Sequence, residues 1–150
     1  MKTLQFTKEI NAPAKKVWDA LWNANTYPQW TAPFNPDPNG GSAMKSDWKV
    51  GGKTHFTDTN GNGMISTIKS MQEPNEIVFE HLGEVINGKE DTSSDKVKSW
   101  AGSLEEYHLS ENNGITTLYV SVQIAEEWAG MMNDGFTKGL EIVKEISEGN

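Results

Sequence analysis

Three histidines, His55, His81 and His108, are the side chains best suited to acid–base or metal chemistry in this 150-residue chain. All three fall in stretches predicted as strands. They lie far apart in sequence, and no local H-x-x-x-H spacing links them. Strand parity separates them further. His55 points away from the face of Phe56, and His108 away from that of Tyr107 and Leu109, which puts both on the solvent side of a sheet. His81 shares its face with Ile77 and Phe79, so it is the histidine that could point into a pocket. A buried, hydrogen-bonded core histidine is favoured there over a catalytic base. Glu105-Glu106 is the paired carboxylate on a predicted strand, but adjacent strand residues face opposite ways and cannot act together. Glu105 shares the face of Ser103, Tyr107 and Leu109, which leaves it as one acidic group in a cavity or at an exposed sheet edge. There is no G-x-S-x-G elbow. Gly51-Gly52 and Gly61-Asn62-Gly63 read as hairpin glycines, because no Lys-Ser/Thr follows at phosphate-loop spacing. These patterns name no cofactor and no metal, and they point to no catalytic residue.

The aromatic residues carry more. Trp30 and Phe34 fall at the end of a short helix and in the loop after it. Phe56, Phe79 and Tyr107 lie on strands, Trp100 closes a polar segment, and Met131, Met132 and Phe136 come from the last helix. Any one of them reads as core. Together they could line a pocket, with flexible methionines tolerating varied apolar shapes.

The element that must position them is the tail of the chain. From Glu126 to Glu148 the apolar residues Trp128, Met131, Met132, Phe136, Leu140, Ile142, Val143 and Ile146 recur mainly at steps of three and four, which predicts one long amphipathic helix. Gly149 then reads as its stop. Gly135 and Gly139 fall at the centre of the apolar face, where an interior glycine costs about 1 kcal/mol against alanine. Either a bulky facing residue fills that notch, or the notch forms part of a cavity wall.

Upstream, Thr3 to Ile10 alternates as a strand, Pro13 to about Trp22 repeats as a short helix, and a further turn runs from Thr26 to Trp30. Thr31 to Ser42, rich in proline and glycine, reads as loop. Five strands follow at Ala43–Lys49, Lys53–Asp58, Gly63–Gln72, Glu76–Leu82 and Ser103–Ser110, and a seventh at Ile115–Ile124. The polar stretch Gly83–Ser99 reads as an unstructured segment or a lid. Consecutive strands with tight turns imply an antiparallel sheet in an α+β domain, with a pocket between sheet and helix.

Composition narrows the function. A net charge of −8 argues against nucleic acid and anionic membranes as partners. The absence of cysteine removes disulfides and thiolate chemistry and fits a cytoplasmic setting. No apolar run approaches the roughly 18 residues of a membrane span, and the N-terminus lacks the apolar core of a signal peptide.

Five stretches carry a resemblance: Ile10-Asn11-Ala12-Pro13 with Val17-Trp18-Asp19-Ala20-Leu21; Trp30; Trp48-Lys49-Val50-Gly51-Gly52; Glu73-Pro74 with Ile77-Val78-Phe79; and Trp128 through Glu145. In this order the chain resembles the helix-grip fold of the START-like superfamily. Within it the chain is similar to homologues of the activator of the heat-shock chaperone ATPase. The resemblance implies one domain, with a curved antiparallel sheet of six to seven strands around a long C-terminal helix and two short helices after the first strand. The superfamily hosts binders, carriers and enzymes. The eukaryotic activator pairs this domain with an amino-terminal chaperone-binding domain that has no counterpart in this sequence. The expectation is a non-enzymatic protein binding a small apolar or aromatic-containing molecule. Its pocket would be lined by Trp30, Phe34, Phe56, Phe79, His81, Trp100, Tyr107, Met132 and Phe136, with Gly135 and Gly139 making room. Association with a heat-shock chaperone is the alternative partner, and a cyclase-like or hydrolase-like enzyme using His81, Glu105 or Tyr107 is a third reading.

Overall fold

The computed structural model describes residues 1–34 and 41–149. Part of the loop expected over 31–42 therefore lies outside the described residues. The chain opens with strand β1 (Lys2–Ile10), helix α1 (Ala14–Trp22) and helix α2 (Tyr27–Thr31), followed by a 3-10 turn at Ala32–Phe34. Strands β2 (Ser42–Ser46), β3 (Lys53–Asp58), β4 (Gly63–Gln72) and β5 (Glu76–Ile86) come next, then β6 (Lys89–Asp91) and the short helix α3 (Asp95–Lys98). Strands β7 (Leu104–Asn112) and β8 (Ile115–Ile124), a 3-10 turn at Glu126–Trp128 and helix α4 (Ala129–Gly149) complete it.

The strands form one antiparallel sheet in the order β1-β8-β7-β5-β4-β3-β2, with β6 paired to β5 off this path. The inner face packs against α1, α2 and α4. Ile68, Ile77, Phe79, Tyr107, Leu118 and Val120 meet Val17, Leu21, Trp30, Phe136, Leu140 and Val143 in one core. That is the α+β helix-grip architecture expected from the alternating strands and the final amphipathic stretch.

The segment expected to be unstructured over 83–99 is ordered. Strand β5 runs on to Ile86 and turns back as β6. Ser94 then caps α3, its side-chain oxygen accepting from the Val97 backbone N–H at 3.3 Å. Val97 is fully buried, which is why so polar a stretch still folds. Helix α4 also begins later than its pattern suggests, because a 3-10 turn takes up Glu126–Trp128 and leaves Trp128 and Met131 51% and 46% exposed. Gly149 closes the helix from within its last turn.

The pairing of β4 with β5 breaks register twice. Ile65 faces Gly83 but Ser66 faces His81, so Leu82 is an extra residue; a second shift lies between Ile68 and Ser70. Such bulges bend a strand and raise its twist. The first also switches which residues of β5 share a face. On one side of it His81 is aligned with Ser66, and on the other Glu84 is aligned with Met64.

Candidate functional site

The notch expected at the two α4 glycines is filled. A Cβ on Gly135 would fall 2.3 Å from Cδ1 of the Phe34 ring, and one on Gly139 would fall 2.6 Å from the Trp30 carbonyl oxygen. The glycines therefore let α2 and the 3-10 turn press against α4, and they do not form a cavity wall. The expectation that they make room for a guest is corrected: they make room for Trp30 and Phe34. The reason is the entry of the N-terminal helices between sheet edge and α4, which helix periodicity alone does not reveal.

A cavity exists beside them, between the sheet and the first turns of α4. Its inner part, which is open to solvent, measures about 330 Å³, within the range of small-molecule sites. Trp30, Phe34, Phe56, His81, Tyr107, Met132 and Phe136, all expected there, line it, joined by Tyr27, Met64, Glu105 and Met131. A second, outer part of about 270 Å³ shares Gly63, Met64, His81, Met131 and Met132 with the first and carries Trp100, Trp128 and the pair Lys96–Glu84. The two parts of the cleft meet at these five shared residues. Trp100 lies in the outer part only. Phe79 is fully buried beneath the floor, 5.1 Å from Phe56 between ring centroids. Gly135 and Gly139 line neither part.

At the floor, three strands bring polar groups together. His81 on β5 lies opposite Ser66 on β4, and Glu105 on β7 lies opposite Phe79 on β5. The Ser66 hydroxyl lies 2.6 Å from His81 Nδ1, and His81 Nε2 lies 3.2 Å from Glu105 Oε1. A neutral imidazole protonated on Nε2 satisfies both contacts: Ser66 donates to Nδ1, and Nε2–H donates to Glu105. The Tyr107 hydroxyl donates to the other Glu105 oxygen. The His81 backbone is also held, its N–H donating to Ser103 O at 2.9 Å. Burial, reinforced by the negative charge of Glu105, pushes the phenols of Tyr27 and Tyr107 well above their usual range, so both stay protonated donors.

The remaining histidines sit as parity predicts. His55 Nε2 lies 2.8 Å from Glu90, and His108 Nε2 lies 3.1 Å from Glu106, both partly exposed. Among the described residues no group of three or more histidines, aspartates or glutamates could hold a metal ion, and no helix is long and apolar enough to cross a membrane.

Sequence reasoning left Tyr27 and Met64 out of the pocket. Tyr27 lies three residues before Trp30 on the same short helix, a signal that was available. Met64 shares the face of Ser66 and Ile68 by strand parity, a signal also present in the sequence, whereas Glu84 reaches the cleft face only because of the bulge at Leu82, which leaves no mark there.

A curved sheet gripping a C-terminal helix, with an apolar cleft between them, defines a START-like helix-grip domain. Within that class the chain belongs to the family described as Activator of Hsp90 ATPase homolog 1-like protein, which residues 11–146 match. No curated protein gives a significant sequence match. Among solved structures, the chain resembles the Aha1 dimer of Colwellia psychrerythraea at TM-score 0.70 and 15% identity, covering 99% of this chain and 97% of that one. Protein Ms6760 of Mycobacterium smegmatis gives TM-score 0.66 at 18% identity, with 97% and 88% covered. CalU16 of Micromonospora echinospora gives TM-score 0.66 at 19% identity, with 99% and 66% covered. At such identities these likenesses establish the fold.

Proposed function

We propose that this protein is a cytoplasmic, non-enzymatic carrier or receptor of a small apolar or aromatic-containing molecule, held between the sheet and α4. The observation that carries this reading is the cleft itself, a cavity of about 330 Å³ walled by aromatic rings and methionines. An enzymatic use of the same floor is disfavoured by access. Ser66 and His81 stand next to an acid, as in a hydrolytic triad, but Ser66 is fully buried and lines neither part of the cleft.

The test is uptake of N-phenyl-1-naphthylamine, an uncharged probe that brightens in apolar surroundings. The wild-type protein is expected to bind it saturably. Met132→Trp, which fills the junction of the two parts of the cleft, should weaken binding at least tenfold while the melting temperature holds within a few degrees. Absence of saturable uptake by the wild type would overturn the reading. Native mass spectrometry of protein from its own source would show whether a small molecule travels with it.

Family membership favours a second reading, contact with a heat-shock chaperone. It requires co-purification with the chaperone and stimulation of its ATPase, and a direct assay showing neither excludes it.

A further inference from the structure

We infer that the guest carries a positive charge: the cleft is built for an organic amine with an apolar or aromatic body. The inference rests on the binding reading above and narrows its ligand class.

The cleft holds one carboxylate among rings. Glu105 lines the same inner cavity as Tyr27, Trp30, Phe34, Phe56, Tyr107 and Phe136. A carboxylate withdrawn from water is costly unless its oxygens are occupied. Glu105 has two donors, the Tyr107 hydroxyl and His81 Nε2, one on each oxygen. An ionised carboxylate accepts about four hydrogen bonds, so acceptor capacity remains on the oxygens of a group that faces the cavity.

Among the described residues, no lysine forms an ion pair with it. Among the described residues, the ionisable group within ion-pair distance of Glu105 is His81, and a neutral imidazole satisfies both of that ring's contacts. The lysine of the cleft, Lys96, lies in its outer part and pairs with Glu84 at 3.2 Å.

Three effects then select a cation. The carboxylate supplies a charge-assisted acceptor in a site of low dielectric. The surrounding rings present π-systems that attract ammonium groups. The net charge of −8 draws cations toward the protein and repels anions. A neutral guest of the same shape gains the apolar contacts alone, and an anionic one meets Glu105 as a like charge.

Three ligands of one shape separate these cases: 1-naphthylmethanol, 1-naphthylmethylamine and 1-naphthoate, titrated at pH 7 by quenching of tryptophan fluorescence. The alcohol is expected to bind, the amine at least tenfold more tightly, and the naphthoate more weakly than the alcohol. In Glu105→Gln, nearly the same in shape, the advantage of the amine should fall to within about twofold of the alcohol. In Tyr107→Phe, which leaves the charge in place, it should persist. Alcohol binding with no preference for the amine, or a preference for the naphthoate, overturns the inference and leaves the cleft as a binding site. An amine preference that survives in Glu105→Gln also overturns it. If none of the three binds, both the cleft reading and the inference fall.

Discussion

The contact between α4 and the N-terminal helices can be tested at Gly139. An alanine there brings a Cβ to 2.6 Å from the Trp30 carbonyl oxygen and 3.2 Å from its ring carbon Cε3. The oxygen belongs to the backbone of α2, so relief requires the two helices to part. Overpacking of this kind costs about 1–3 kcal/mol, while replacing an interior helical glycine by alanine returns about 1 kcal/mol. The net loss is about 0–2 kcal/mol, and at about 2–4 °C per kcal/mol for a domain of this size the melting temperature should fall by up to about 8 °C. Gly135 makes a sharper control. Its added Cβ would meet the Phe34 ring, at 2.3 Å from Cδ1, and a partly buried side chain can swing aside. In a Phe34→Ala background that obstacle is gone, so Gly135→Ala should stabilise by up to about 1 kcal/mol. A thermal or urea double-mutant cycle should therefore show coupling between positions 34 and 135. A rise in melting temperature for Gly139→Ala, or no coupling between Phe34 and Gly135, would refute the reasoning that facing side chains occupy the notch.

Three further expectations follow from the same contacts. Val97→Ala should cost about 2 kcal/mol, from two lost methyls and the cavity left behind, because Val97 is fully buried under a segment that looks solvated; urea unfolding measures it. The Glu148 carboxyl is held below its usual range by Lys144 and the Asn11 backbone N–H. Its contribution is thus present above about pH 4.3 and lost as pH falls through the lowered value, so Glu148→Gln should flatten the acid side of the stability profile and leave its alkaline side unchanged. Tyr27 and Tyr107, raised by burial and by Glu105, stabilise the fold below about pH 10 and lose that effect above it; their phenolate absorbance should appear only together with alkaline unfolding, and a step from either in the folded protein would contradict the buried floor.

Much of this molecule was legible from pattern alone. Period-two alternation located Leu118, Val120 and Val122 on the inner face of β8, and the three-and-four repeat located Phe136, Leu140 and Val143 on α4, because burial on one side leaves a periodic trace. The same parity separated His81 from His55 and His108. What stayed hidden depends on contacts between distant segments. Nothing near Gly135 announces that Phe34 will lie against it, and nothing in the polar run after Gly83 announces that Val97 will be covered. Trp128 and Met131 fit the apolar stripe expected of the last helix yet are half exposed beside the outer part of the cleft, because a 3-10 turn takes up Glu126–Trp128.

The extra residue at Leu82 has a bearing on how such a receptor could change its taste. Because one residue is looped out of the ladder, the halves of β5 on either side of it are out of phase, and His81 and Glu84 both line the cleft. One residue inserted in β4 between Ile65 and Ser66, opposite Leu82, would restore regular pairing and turn Met64 and Glu84 outward and Ile65 and Gly83 inward at one stroke. The lining of the cleft can therefore be rewritten by a one-codon insertion, without exchanging a single amino acid of the chamber for another.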